Sequence, residues 1–100
     1  DVIIMAVFLV SYDLNKQGQN YTNLINAIKT YDAYIKCLHS QWLISTNDNI
    51  DSVYVYLSNK IDNNDLLLIT PIVQPFYATL QSDVISWLKH EQNLGHIPTI

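Results

Sequence analysis

From Met5 to Val10 every position is apolar, so both alternating sets, Met5/Val7/Leu9 and Ala6/Phe8/Val10, lack polar atoms. That pattern predicts a strand from roughly Ile4 to Asp13 that lies near the middle of a sheet and is covered on both faces. It stops at a carboxylate, Asp13, and a polar loop follows from Asn15 to Asn20. A helix is then expected from about Tyr21, with Asn20 as its N-cap. Its apolar stripe is Tyr21, Leu24, Ile25, Ile28 and Tyr31, at three- and four-residue spacing. The segment from Tyr34 to Thr46 is rich in β-formers and long for one strand. It divides into about Tyr34–Leu38 and Gln41–Thr46, joined tightly at His39-Ser40.

After Asn49 the period returns to that of a helix, and Ile50, Val53, Tyr54, Leu57 and Ile61 form the expected buried face. Asn63-Asn64-Asp65 turns the chain into Leu66-Leu67-Leu68-Ile69, again apolar on both faces. Pro71 and Pro75 bracket the exit. A last helix is expected over about Gln81 to Gln92, with Val84, Ile85 and Leu88 inward and Ser82 as a cap. Gly95 and Pro98 mark residues 93–100 as an irregular or edge-pairing tail. Leu94, Ile97 and Ile100 are its apolar positions. The order β-α-β-β-α-β plus a helix is the split βαβ, or ferredoxin-like, α+β pattern. It predicts a four-stranded antiparallel sheet in the order 4-1-3-2, two helices on one face, and an extra C-terminal helix. The second face needs a cover; the extra helix supplies part of it and a second copy of the chain is the simplest source of the rest.

One hundred residues make a single domain, and Asp1 to Ile4 read as an extension upstream of a natural start at Met5. With 49% hydrophobic and 14% charged residues, the surplus apolar surface points to a partner. The five basic residues are all lysine, against eight aspartates and Glu91, for a net charge of −4. Phosphate backbones are held by Lys and Arg, so an acidic chain without arginine is poorly equipped for nucleic acid and better suited to a basic protein partner. Cys37 is alone, which excludes an intramolecular disulfide and fits a reducing cytoplasm. No segment has the length of a membrane span.

The stretch Val10-Ser11-Tyr12-Asp13-Leu14, the segment Ser40-Gln41-Trp42-Leu43, the strand Asp65-Leu66-Leu67-Leu68-Ile69 and the late pair Trp87-Leu88 together resemble the superfamily of small CRISPR-associated adaptation proteins, the Cas-two family. Virulence-associated protein D belongs to the same group, and the nearest likeness is to its SinR-like branch. The resemblance runs from Met5 to about His90. It implies a ferredoxin-like homodimer. In some members the aspartate ending the first strand binds a metal for nuclease chemistry, and others are non-catalytic scaffolds. Carried onto this chain, that residue is Asp13, facing its symmetry mate.

Paired Asp13 carboxylates would hold Mg²⁺ or Mn²⁺, activate water and stabilise charge on a phosphate. The plainer role for such an aspartate is to cap the following loop. Ser11, on the same side of the strand, and Asn15, next in the loop, are supporting candidates for orienting water or ion. Ser40, close to the first strand by the same analogy, is a third, although a turn or a buried hydrogen bond explains it as well. His39 lacks a nucleophile and an orienting acid around it. His90 and His96, separated by the break at Gly95, have no zinc spacing, and Asp62/Asp65 lack the EF-hand glycine and glutamate, which leaves a solvated turn. The seven tyrosines with Trp42 and Trp87 fit core packing or a protein interface better than base stacking. Two functions follow. The first is a homodimeric interaction or scaffold module, which the charge favours; the second is a metal-dependent phosphodiesterase acting on RNA or DNA through Asp13.

Overall fold

The computed structural model describes residues 4–15 and 21–100. The elements are β1 (Ala6–Asp13), α1 (Thr22–Ile28), β2 (Ala33–Leu38), β3 (Gln41–Thr46), α2 (Ile50–Ser58), β4 (Leu66–Pro71) and α3 (Ser82–Asn93). The four strands form one sheet in the order β2-β3-β1-β4, each antiparallel to its neighbours. This α+β arrangement is compatible with the expected 4-1-3-2 pattern. β1 is central, as its two apolar faces require. It pairs with β3 from Ala6↔Thr46 to Ser11↔Gln41, and with β4 from Phe8↔Pro71 to Asp13↔Leu66.

The alternation along β1 sorts the interior into two cores. Phe8, Val10 and Tyr12 join Trp42 and Ile44 under Leu24, Ala27 and Ile28 of α1 and Val53 and Leu57 of α2. Val7 and Leu43 face the other way, with Cys37 of β2 and Val84 and Leu88 of α3. Thus two helices cover one face and the third lies over the β2 side of the other. Toward β4 that second face stays open: Leu66 and Leu68 are 64% and 62% exposed.

Several expected boundaries and faces change. Strand β1 begins at Ala6 rather than Ile4, and α1 is only seven residues long. The Asn20 cap lies outside the described residues. Tyr21 is exposed, because it precedes the helix instead of lying on its stripe. In α2 only Val53 and Leu57 are buried; Ile50 and Tyr54 are exposed because the helix rests on the margin of the sheet, where one narrow stripe suffices. Asn49 is its N-cap, accepting the Ser52 amide at 2.8 Å through Oδ1. Ser82 does not cap α3; the cap position is Gln81, without a side-chain bond. Among the described residues two buried polar atoms, Tyr31 Oη and Trp42 Nε1, have no hydrogen-bond partner.

At the far end of α3 the chain closes with paired turns. Gly95, at φ +81°, lets its own amide reach the Gln92 carbonyl at 3.0 Å and the His96 amide reach that of Glu91 at 3.0 Å, the two bonds of a Schellman stop. The tail then lies along the segment after β4. The Gln74 amide donates to the Pro98 carbonyl at 2.7 Å, the Ile100 amide to the Gln74 carbonyl at 3.0 Å, and Gln74 Nε2 to the Ile97 carbonyl at 2.7 Å. Ile97 is buried in the α3-side core.

Candidate functional site

Asp13 is the last residue of β1, exposed, opposite Leu66. Ser11 shares its face, between Gln41 on β3 and Leu68 on β4. The face around the two residues is therefore the open, leucine-bearing part of the sheet. Asp13 has no side-chain hydrogen bond among the described residues, so within them it is not the residue that caps the start of the loop. That role belongs to Asp65, which is buried and accepts two backbone amides, Asn15 N–H on Oδ1 and Asp62 N–H on Oδ2, both at 2.8 Å. The turn expected to be merely solvated is in fact the clamp that ties the exit of β1 to the entry of β4. The bond spans fifty residues, and no local pattern announces it.

Asn15 is thus engaged through its backbone, with its side chain on an exposed residue. Ser40 occupies the β2–β3 turn at φ 59°, and its carbonyl accepts the Tyr12 amide at 3.1 Å. With His39, Tyr12, Tyr21 and Lys36 it lines a cavity of about 110 Å³. Tyr12 belongs to the helix-side core, so this corner adjoins the opposite face from Asp13. The structure brings Ser11 to the side of Asp13 and leaves Ser40 beside Tyr12.

Mg²⁺ or Mn²⁺ asks for several oxygen ligands, commonly one or two carboxylates with waters and phosphate oxygens. Among the described residues no three His, Cys, Asp or Glu side chains converge. At the end of β1 the described residues of one chain offer a single exposed carboxylate, Asp13, which does not make a metal site by itself. A two-fold mate would have to bring a second Asp13 to within a few ångströms.

A different polar cluster sits under the tail. Glu91 is buried in α3, and its Oε1 lies 2.9 Å from His96 Nδ1; Ser45 Oγ lies 3.5 Å from the same nitrogen. A serine–histidine–acid relay needs the serine on one ring nitrogen and the acid on the other. Here both share Nδ1, and Ser45 is only 1% exposed, so the cluster lacks the geometry of such a relay and ties the tail to α3 and β3. The sequence did carry a signal for it. Val84, Leu88 and Glu91 follow one another at helical spacing, which places the only glutamate of the chain on the buried stripe.

An apolar hollow of about 340 Å³ lies between the sheet and residues 76–80, lined by Leu9, Cys37, Leu43, Phe76, Leu80 and Leu88. Burial pushes the Cys37 thiol above its ordinary range, which keeps it protonated and unreactive near neutrality. No helix among the described residues is long and apolar enough to cross a membrane. Compared with protein-family models, with curated proteins and with solved structures, the chain matches none of them.

Proposed function

We propose that this chain is a ferredoxin-like, homodimeric interaction or scaffold module of Cas-two-like type. One observation carries the reading: exposed apolar side chains gather where the sheet is open. Leu66 and Leu68 stand out side by side on the second face. Patches of that kind mark association surfaces. The net charge of −4 supports a basic protein as a further partner and weighs against a phosphate backbone. A cytoplasmic location accords with the lone, unpaired Cys37.

The exposure of Asp13 favours a second reading, a Mg²⁺- or Mn²⁺-dependent phosphodiesterase, since a free carboxylate at a strand end is available to an ion. It requires two Asp13 residues to face each other. Cleavage of labelled single-stranded RNA and duplex DNA with either metal, by wild type and Asp13→Ala, tests the choice. The module reading expects no cleavage beyond background by either protein. Metal-dependent cleavage that Asp13→Ala abolishes, while staying folded, would replace it with the enzyme.

A further inference from the structure

The two edges of the sheet are unlike. On β2 the exposed Lys36 and a register shift between Lys36 and Leu38 blunt the edge, both common devices against strand addition. Strand β4 reads Leu-Leu-Leu-Ile-Thr-Pro, with no charge and no register shift. We infer that this edge is a self-association surface, on which β4 pairs antiparallel with β4 of a second copy about a two-fold axis at Leu68. The inference rests on the homodimeric reading and gives it a geometry.

The backbone narrows the register. The Ile72 amide donates to the Val7 carbonyl at 2.9 Å, so even-numbered residues of β4 direct their N–H and C=O toward β1. The Tyr12 amide bonds to the Ser40 carbonyl on the other side of β1, which agrees with that alternation. Leu67 and Ile69 therefore present their backbone groups outward, and so does Pro71, whose missing N–H falls where no partner is needed. A two-fold axis perpendicular to the sheet pairs residues of the same face. Centred on Leu67, the pairing would need the Asp65 amide, which is already bonded to the Asp62 carbonyl at 3.1 Å. Centred on Leu68, it pairs Leu67 with Ile69 of the second copy twice over and makes four backbone bonds.

Side chains and charge point to the same occupant. In that register Leu68 meets its own mate and Leu66 meets Thr70, which covers the two most exposed leucines of the open face. Above the sheet, the Tyr56 ring packs against Tyr31 on the α1 side of α2, at 6.0 Å between centroids. Tyr54, about 200° around the helix from Tyr56, lies on the opposite flank, 52% exposed and turned toward the mate. A charged peptide would find nothing complementary along β4, whereas a second β4 brings no like charge to the axis. Since strands lie about 4.8 Å apart and rise about 3.3 Å per residue, the two Asp13 residues would stand roughly 20 Å from each other. This dimer cannot hold a shared metal between them.

Light scattering and cysteine cross-linking test the interface. Wild type is expected at twice its 11.5 kDa mass. Leu68→Lys, at an exposed position, should associate at least tenfold more weakly with an unchanged far-ultraviolet spectrum. Leu68→Cys should cross-link under mild oxidant, because facing non-bonded pairs stand about 4.5 Å apart at Cα, within disulfide reach. Leu66→Cys, whose mate is about 13 Å away by strand rise, should not. Wild type, with Cys37 buried, is the control. A dimer that survives Leu68→Lys, or that cross-links at position 66 as readily as at 68, overturns this interface and leaves the homodimeric reading standing. A wild type that is monomeric at every concentration overturns both.

Discussion

Replacing Tyr31 with phenylalanine should make this protein more stable. The Tyr31 side chain is 8% exposed, its hydroxyl is buried without a hydrogen-bond partner, and its ring meets that of Tyr56 edge-on. Burying an unsatisfied hydroxyl costs about 1–3 kcal/mol in mutational series, whereas the ring contact survives in phenylalanine. Removing one small atom leaves little void, so a gain of about 1–2 kcal/mol is expected at pH 7. For a domain of this size that is about 4–8 °C in Tm per kcal/mol.

The same burial supplies an independent signature. Burial first, with Asp48 and Tyr56 nearby, pushes the Tyr31 phenol up to about 12. An unfolded tyrosine gives up its proton near pH 10 while the folded one retains it, so folded stability is lost as pH rises from about 10 to about 12. Two pKa units correspond to about 2.7 kcal/mol, and about half of that is expected because a solvent cleft runs beside the ring. Urea melts of wild type and Tyr31→Phe at pH 7 and pH 11.5 provide the assay. The stability gap should widen by about 1 kcal/mol at the higher pH. A variant that loses about 0.5 kcal/mol or more at pH 7, roughly the value of one satisfied hydrogen bond, would show instead that the hydroxyl is bonded.

Asp65→Ala should cost about 2–4 kcal/mol, since two amides lose a charged acceptor at once; a chemical melt measures it, and a loss below 1 kcal/mol would deny the clamp. Asn49→Ala should cost about 1 kcal/mol by removing the α2 cap, with Asn49→Ser recovering most of it. Gly95→Ala should cost about 1–2 kcal/mol by backbone strain alone, because an added Cβ would meet nothing within 4 Å. Crystal or NMR structures of that variant should therefore show neighbouring side chains unmoved.

The element order was legible because each segment kept a single period. The doubly apolar run at Met5–Val10 marked the central strand, and Ser40 at positive φ fell where the β2–β3 break was expected. The run Leu66–Ile69 was a harder case. Two apolar faces look the same in sequence whether a strand is central or is an edge waiting for cover, and only the pairing order tells them apart. Ile50 and Tyr54 followed the helical stripe yet proved exposed, because spacing sets direction around the helix and not the width of the surface beneath it. At the candidate site, Asp13 and Ser11 sharing a face followed directly from the period of two. The bonds of Asp65 and His96 arise from tertiary proximity, which local pattern does not encode.

The central position of β1 also governs how the chain is made. Its ladder with β4 joins Phe8 to Pro71 and Asp13 to Leu66, so one side of the first strand has no partner until the last strand has been synthesised. At about 5–20 residues per second, the ribosome takes on the order of 3–12 s to add the intervening residues. Through that interval the nascent chain carries Val7-Phe8-Leu9-Val10, uncharged and strongly β-forming, with at most one of its two edges satisfied by β3. A segment of that composition invites pairing with neighbouring chains. Crowded translation of this protein should therefore depend on chaperones that hold short apolar strands, and slowing elongation before residue 66 should lower the soluble yield.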